Sequence, residues 1–272
     1  TLYYDIGDET RSVVEFTSEG WKTITSEQCP VKFLRPPAML RQVTAVKTER
    51  SLLDLLGLLV KCDEYTLRKL EAWLIGAMKP KGPFPVLLMT GEQGSAKTTT
   101  CKLLQAIVDP HGLDLRDPPK EARDLAAAIK NSYLYAIDNM SRIPIWLSDS
   151  LCRLATGTGA VGGRALYTDT DEASFMACRP IILNGVSEFV EREDLVDRAL
   201  KVHLPPIVPT ARKDDDTYKL EVDALMPEIL GALYNKVSKA IRCFPDTVLN
   251  EAPRMSNFAR WVVAALDEQD AL

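Results

Sequence analysis

The sequence has few of the residues that build metal sites and disulfide frameworks. Its 272 residues include only 2 His and 6 Cys, and no two cysteines are close enough in sequence to form a CxxC pair. Structural zinc sites and small disulfide scaffolds both depend on closely spaced ligands or cysteines. The sequence therefore argues against both, and it favours a reducing compartment, so we expect a cytoplasmic protein.

Long hydrophobic runs and an excess of positive charge are also missing. The apolar run Leu55–Val60 is far shorter than the ~20 residues that a helix needs to cross a bilayer, so no membrane segment is expected. The net charge is −5, from 33 basic and 38 acidic residues. A protein that binds nucleic acid over its whole surface would be basic. Any nucleic-acid contact of this chain is therefore expected to be a local patch. The chain opens at Thr1 rather than Met, and we expect it to be part of a longer polypeptide.

The remaining composition, 46% hydrophobic and 26% charged, is typical of a globular protein and divides along the chain into four segments. Residues 1–47 are predicted to be β-rich, because β-prone runs alternate with turns. Leucines at helical spacing predict a helical segment over residues 48–82. Residues 83–208 alternate apolar strands with helices, which predicts an α/β domain with a mostly parallel central sheet. A helical part is expected over residues 209–272, and the charged run 212–216 near its start is predicted to be a solvated linker.

The predicted strands of the central sheet are continuous apolar runs without alternation. Such runs are typical of strands that are buried on both faces. These strands are Val86–Thr90, Tyr133–Asp138, Pro180–Asn184 and Leu200–Leu204.

The strongest motif follows the first of these strands and fits the phosphate-binding pattern GxxxxGK[ST] with one departure. Ala96 replaces the glycine before the lysine, a change that costs little if its φ is negative. Backbone N–H groups of such a loop surround phosphates at a helix N-terminus. Lys97 is expected to reach the β- and γ-phosphates of ATP, and Thr98 to bind Mg²⁺. The predicted nucleotide contacts are Gly91, Glu92, Gln93, Gly94, Ser95, Ala96, Lys97, Thr98 and Thr99.

Two later strands end in polar residues that could complete an ATP-hydrolysing site. Asp138 is expected to hold Mg²⁺ at the carboxyl end of a strand that neighbours the first. Asn139 follows at a position where a carboxylate base is common, and an amide is a poor base. The identity of the catalytic base therefore stays open, and Glu92 in the loop is the substitute candidate. Asn184 is expected to bond the attacking water or the γ-phosphate, although a strand-to-turn Asn is the alternative.

Arg198 lies two residues before the last predicted strand, which begins at Leu200. It is a candidate arginine finger, a cation that one subunit presents to the γ-phosphate of its neighbour. A surface ion pair or an ion pair within its own subunit is the alternative.

Together these motifs resemble the helicase domain of phage- and plasmid-type primase-helicase proteins, a superfamily 3 branch of the AAA+ ATPases. The resemblance spans residues 2–260 and includes the strings Gly91–Thr98, Trp146–Asp149 and Leu151–Gly157. It implies a P-loop ATPase of AAA+ type that uses ATP and Mg²⁺ and forms a homo-oligomeric, hexameric ring. It further implies action on single-stranded or forked DNA, and a primase domain or protein upstream.

The resemblance also suggests a DNA contact between the second and third predicted strands of the central sheet. The glycine-rich run Thr156–Arg164 matches a segment that lies near the channel of such rings, which makes Arg164 the candidate contact. Residues 157–179 are not basic overall, so a surface loop or a subunit contact is the alternative for this segment.

The main prediction is an ATP-dependent DNA helicase or translocase domain of a mobile-element replication protein, with ATP sites between subunits. An AAA+ ATPase that uses ATP as an assembly switch on a protein partner is the runner-up, and the acidic net charge favours it. A domain that binds nucleotide without hydrolysis is a third hypothesis, suggested by Ala96 and Asn139.

Overall fold

The computed structural model describes residues 1–113, 115–161, 175–186, 189–251 and 253–266. The chain begins with a three-stranded antiparallel sheet, in which β1 (Leu2–Asp5), β2 (Val13–Thr17) and β3 (Gly20–Ile24) follow one another in space. Aromatic side chains of this sheet pack around Tyr234 of a C-terminal helix, with ring centroids 5.0–6.2 Å apart. This aromatic cluster anchors the N-terminal sheet on that helix.

Two helices follow where the leucine pattern predicted helical structure, α1 (Leu52–Leu59) and α2 (Glu64–Ala77). Each begins at a capping side chain. Ser51 accepts a hydrogen bond from the N–H of Asp54, and Asp63 accepts one from the N–H of Thr66. Because a cap satisfies an N–H that the helix leaves unpaired, the second cap starts a new helix and fixes the break between the two.

The rest of the chain alternates strands and helices before it ends in two helices. In chain order the elements are β4 (Val86–Thr90), α3 (Lys97–Val108), α4 (Ala122–Lys130), β5 (Tyr135–Met140), α5 (Ile145–Thr156), β6 (Ala160–Val161), β7 (Phe175–Met176), β8 (Ile181–Gly185), α6 (Glu193–Val196), β9 (Ala199–His203), a 3-10 turn (Pro209–Ala211), α7 (Asp215–Cys243) and α8 (Ser256–Ala265). In these described ranges no helix combines the length and the apolar character needed to cross a membrane.

Four of these strands form the central sheet, all parallel, in the order β5-β8-β4-β9. This confirms the predicted fold class: a mixed α/β chain with a parallel central sheet, a β-rich N-terminal segment and a helical C-terminal part. One expectation is wrong, because β5 is not the neighbour of β4. Strand β8 lies between them, since the chain returns to the middle of the sheet after β5.

Helices cover both faces of the central sheet and give each face its own hydrophobic core. Side chains of Leu87 and Met89 pack with α1, α2, α3 and α7, whereas Val86 and Leu88 pack with α4 and α5 on the other face. Successive residues of a strand point to opposite faces. Both faces of β4 are therefore buried, which explains its continuous apolar sequence.

The charged run 212–216 is not simply a linker, because it contains the start of α7. The Asp214 carboxylate accepts a hydrogen bond of 2.9 Å from the N–H of Thr217 and another from its hydroxyl. These hydrogen bonds lower the pKa of Asp214. The acidic residues of the run thus cap the first turn of a 29-residue helix, where negative charge is favoured.

Candidate functional site

The glycine-rich loop lies between the carboxyl end of β4 and the first turn of α3. Lys97 is the first residue of α3, and its ammonium donates to the carbonyl oxygens of Gly91 and Glu92, each at 2.8 Å. Burial lowers the pKa of Lys97, while the nearby Asp138 carboxylate raises it. The helix N-terminus and this ammonium together place positive charge at one end of the sheet, as an anion site requires.

The hydroxyl of Thr98 and the carboxylate of Asp138 meet at this same end. Thr98 Oγ1 donates to Asp138 Oδ1 at 3.2 Å, although β8 lies between β5, which carries Asp138, and β4, which precedes the loop and Thr98. A hydroxyl beside a carboxylate offers the hard oxygen ligands that Mg²⁺ prefers. The residues present therefore fit a magnesium ion, and the chain folds so that the two predicted ligands are brought together.

A bulge in β5 aims the Asp138 carboxylate. Ile137 pairs with Leu183, and Met140 pairs with Gly185, so two residues of β5 lie opposite one residue of β8. The bulge depends on Asn139, whose φ of 57° is left-handed, a conformation that asparagine tolerates better than most residues. The backbone N–H of Asn139 donates to Asp138 Oδ1 at 2.8 Å, and this bond holds the carboxylate in place.

Asn184 is the residue of β8 that faces the bulge, and its amide is buried, with 1% of the residue exposed. Its Oδ1 accepts from the N–H of Asn139 at 3.0 Å, and its Nδ2 donates to Cys101 Sγ at 3.2 Å. The amide thus ties the end of β5 to α3. Its predicted contact with water or phosphate stays a prediction.

Cys101 belongs to this site, and no sequence pattern pointed to it. It is a single cysteine in a helix, with no motif around it. Its thiol is fully buried, and burial raises its pKa to about 12, so it stays neutral. Only the packing of α3 on the sheet places it under Asn184.

Ala96 has a left-handed backbone conformation, with φ 58° and ψ 30°. The condition under which alanine would cost little, a negative φ, is therefore not met. A residue with a Cβ pays ~1–2 kcal/mol in this conformation. The loop keeps its shape against this cost, because α3 and β4 fix both of its ends.

We expect Ala96→Gly to stabilise the protein. The left-handed cost of ~1–2 kcal/mol disappears, and the greater unfolded-state entropy of glycine offsets about 0.5–1 kcal/mol of that gain. Differential scanning calorimetry should show a midpoint about 2 °C higher. Ala106→Gly, in the interior of the same helix, is the matched control and should lower the free energy of unfolding by about 1 kcal/mol. Equal destabilisation by both substitutions would contradict the prediction.

Arg198 lies at the end of the sheet opposite the glycine-rich loop. Its carbonyl accepts from the N–H of Val86, the first residue of β4, whereas the loop follows the last residue, Thr90. Four residue steps along a strand separate these ends by about 13 Å. Arg198 is therefore placed away from the loop of its own chain.

The guanidinium of Arg198 is held at this edge by Asp194. Its Nη1 donates to Asp194 Oδ1 at 2.7 Å and to the Asp194 carbonyl, and the hydrogen bond lowers the pKa of Asp194. Arg254 also contacts Asp194, and it pairs with Asp197 at 3.0 Å. The predicted alternative, an ion pair within the chain, is thus present. Whether Arg198 also acts on a neighbouring subunit stays a prediction.

A pocket of about 240 Å³ opens beside the glycine-rich loop, and no sequence pattern predicted it. Segments far apart in sequence meet there: the end of α1, the loop itself, and the chain between β9 and α7. Burial raises the pKa of Tyr218 in its wall to about 12, so its phenol is neutral. The lining includes Leu59, Val60, Lys61, Thr99, Ile207, Arg212 and Tyr218.

The described part of the chain shows no side-chain contact within the site for two of the predicted residues, Arg164 and Glu92. Arg164, the candidate DNA contact, lies outside the described residues. Glu92, the substitute base, is exposed at the surface of the loop. Its carbonyl, rather than its carboxylate, makes the contacts with Lys97 and Ser95.

Comparison with protein families identifies the chain. The sequence model of the actinomycete integrative conjugative element replication protein matches residues 53–272. The chain belongs to this family. The predicted link to replication of a mobile element is therefore confirmed, and the element type is an integrative conjugative element. The search of curated proteins returned no match.

Solved structures similar to this chain include the NrS-1 C-terminal region and JCV helicase. The NrS-1 C-terminal region in its A-form apo structure has a TM-score of 0.48 and 15% identity, and the match covers 76% of this chain and 51% of that one. The X-ray structure of JCV helicase has a TM-score of 0.36 and 14% identity, with 79% and 64% covered. The chain thus spans about half the length of the NrS-1 region.

Proposed function

We propose that this replication protein is an ATP-dependent motor that hydrolyses ATP at subunit interfaces and moves along single-stranded DNA as a helicase or translocase. The observation that carries the ATP-dependent part is the contact of Thr98 with Asp138 beside Lys97. Three side chains from α3 and β5 meet at the carboxyl end of the sheet, the place where open α/β sheets bind ligands.

In this proposal Lys97 and the N–H groups of the loop bind the phosphates. Thr98 and Asp138 would hold Mg²⁺, which neutralises phosphate charge and orients the terminal phosphate. Asn139 and Asn184 fix the direction of the Asp138 carboxylate through the bulge in β5. The pocket beside Thr99 offers space for the nucleoside.

The position of Arg198 supports an ATP site shared between subunits. An arginine at the opposite edge from its own loop can reach a γ-phosphate only in another copy of the chain. Its ion pair with Asp194 is partly exposed, and such pairs contribute only ~0–1 kcal/mol. An arginine finger contributes ~10³–10⁵ in rate, which far exceeds the cost of breaking that pair. Arg254 would keep Asp194 neutralised after the exchange.

Membership of a replication-protein family supports DNA as the track on which the motor acts. The net charge of −5 requires the contact to be local, and Arg164 is the proposed contact. One arginine per subunit becomes a positive collar in a ring, and phosphate contacts of this kind give affinity without sequence preference.

The rate of ATP hydrolysis with and without single-stranded DNA tests the proposal. Protein concentration should be varied across the range in which the ring assembles. We expect hydrolysis that rises steeply with protein concentration and is stimulated several-fold by DNA, with less stimulation in Arg164→Ala. Unwinding of a forked duplex under the same conditions then separates a helicase from a translocase.

The acidic net charge favours a second function, an ATP-driven assembly switch that acts on a protein partner. The same experiment separates the two. Hydrolysis that depends on protein concentration but is indifferent to DNA at low and high salt would reject the motor and support the switch.

A further inference from the structure

The glycine-rich loop has a neighbour that none of the motifs includes. We name it the strap: residues 204–212, which connect β9 to α7. The N–H of Leu204 donates to the carbonyl of Thr90 at 2.9 Å, and the N–H of Ile207 donates to the carbonyl of Gly94 at 3.1 Å. The first part of the strap therefore runs alongside the loop, with one hydrogen bond where the loop begins and another at Gly94.

Arg212 ends the strap with its guanidinium against the loop. Its Nε donates to the carbonyl of Ile207 at 3.1 Å, which fixes the direction of the side chain. A Cβ on Gly94 would lie 2.5 Å from Arg212 Nη2 and 3.3 Å from its Cζ. Gly94 also has a φ of +81°, which favours glycine. The absence of a side chain at Gly94 is thus what lets the guanidinium reach the backbone of the loop.

Most of the hydrogen-bonding capacity of Arg212 is uncommitted. A guanidinium has five N–H donors and stays protonated in proteins. Within the part of the chain that the structure describes, only Nε has a partner, and Arg212 forms no ion pair. Its neighbour Lys213 differs, because that ammonium is paired with Glu221. Arg212 therefore presents an unneutralised charge with two free terminal nitrogens at the phosphate-binding loop.

We propose that Arg212 binds the phosphate chain of the nucleotide from the strap side of the loop, as a second cation beside Lys97. The inference rests on the proposed nucleotide function and adds a residue to it. Arginine is suited to this role because its planar fork donates two parallel hydrogen bonds to phosphate oxygens. Arg212 also lines the pocket beside Thr99, so it lies where the phosphate chain would meet the nucleoside.

Competition against a fluorescent ATP analogue tests the proposal with two probes, ATP and inorganic tripolyphosphate. We expect Arg212→Ala to weaken binding of both probes by about 10-fold or more, because charge-assisted hydrogen bonds to phosphate are lost. Arg212→Lys should restore part of the affinity, since it returns the charge without the fork. Arg123→Ala removes an arginine from α4 on the other face of the sheet and should leave both affinities unchanged.

The variants separate failure of this inference from failure of the proposed function. If the wild-type protein binds ATP and Lys97→Ala does not, nucleotide binding stands. Unchanged affinity in Arg212→Ala would then overturn the role of Arg212 alone. Weakened ATP binding with unchanged tripolyphosphate binding would also overturn it, by placing the contact on the nucleoside. If wild type and Lys97→Ala are equally unable to bind ATP, the proposed function itself fails.

Discussion

Replacement of Lys97 by alanine is expected to reduce ATP hydrolysis by at least ~100-fold, as the removal of a preorganised charge from an active site does. The ammonium lies at the first residue of α3, within 2.8 Å of two loop carbonyl oxygens. The N–H groups of the loop remain in the variant, but they carry only partial charge, so they cannot compensate.

Phosphate release and nucleotide affinity should be measured together. Lys97→Ala is expected to lose both, while its melting temperature stays close to that of the wild type, because the side chain stabilises the loop rather than the core. Lys102→Ala is the matched control, since it removes the same group from the exposed side of the same helix. Hydrolysis within about threefold of the wild-type rate in Lys97→Ala would show that phosphates are not bound at this loop.

The second large effect is expected from mixing two inactive variants. Arg198→Ala alone should lower hydrolysis by about 10³-fold, the lower end of what an arginine finger contributes. Lys97→Ala alone is inactive for a different reason. In an equal mixture, about one quarter of the interfaces combine an intact Lys97 with an intact Arg198 from the neighbour, because the contacts are head-to-tail. We therefore expect recovery of about a quarter of wild-type hydrolysis.

This recovery depends on the two residues acting across an interface. A mixture that stays as inactive as its parents would mean that Arg198 does not act on a neighbouring subunit. Arg254→Ala controls for the loss of charge at the same edge, since that residue contacts the same aspartate. It should retain most of the hydrolysis. A loss in Arg254→Ala as large as in Arg198→Ala would attribute the effect to the acidic cluster instead.

Sequence periodicity predicted the elements of the fold well where burial dictates the residue pattern. Strand β4 has the predicted bounds, and β8 and β9 are shifted by one residue. Strand β5 begins two residues later than predicted, at Tyr135, and it also extends two residues further, to Met140. The extension to Met140 follows from the bulge, which the left-handed conformation of Asn139 produces and which no apolar pattern records. Apolar periodicity also missed the start of α7, because the first turn of that helix is charged and was predicted to be a linker.

The candidate site was predictable to the extent that it depends on contiguous residues. The loop from Gly91 to Thr99 is a local motif, because its backbone must curl within a few residues before a helix. Its partners from other strands were found as polar strand ends, but their order in the sheet was not. Neither Cys101 nor Arg212 could be found from a local motif. Each joins the site only through a residue more than 80 positions away in sequence, Asn184 for Cys101 and Gly94 for Arg212.

The sequence by itself determined the fold class, the glycine-rich loop between a strand and a helix, and the kinship with mobile-element replication, because these are recorded in apolar periodicity and in short motifs. Only the tertiary structure decided that β8 separates β4 from β5, that Asn184 joins the bulge to Cys101, and that Arg212 packs on Gly94. These features depend on distances between segments, and such distances are set by how helices and strands pack on a shared core rather than by any local pattern.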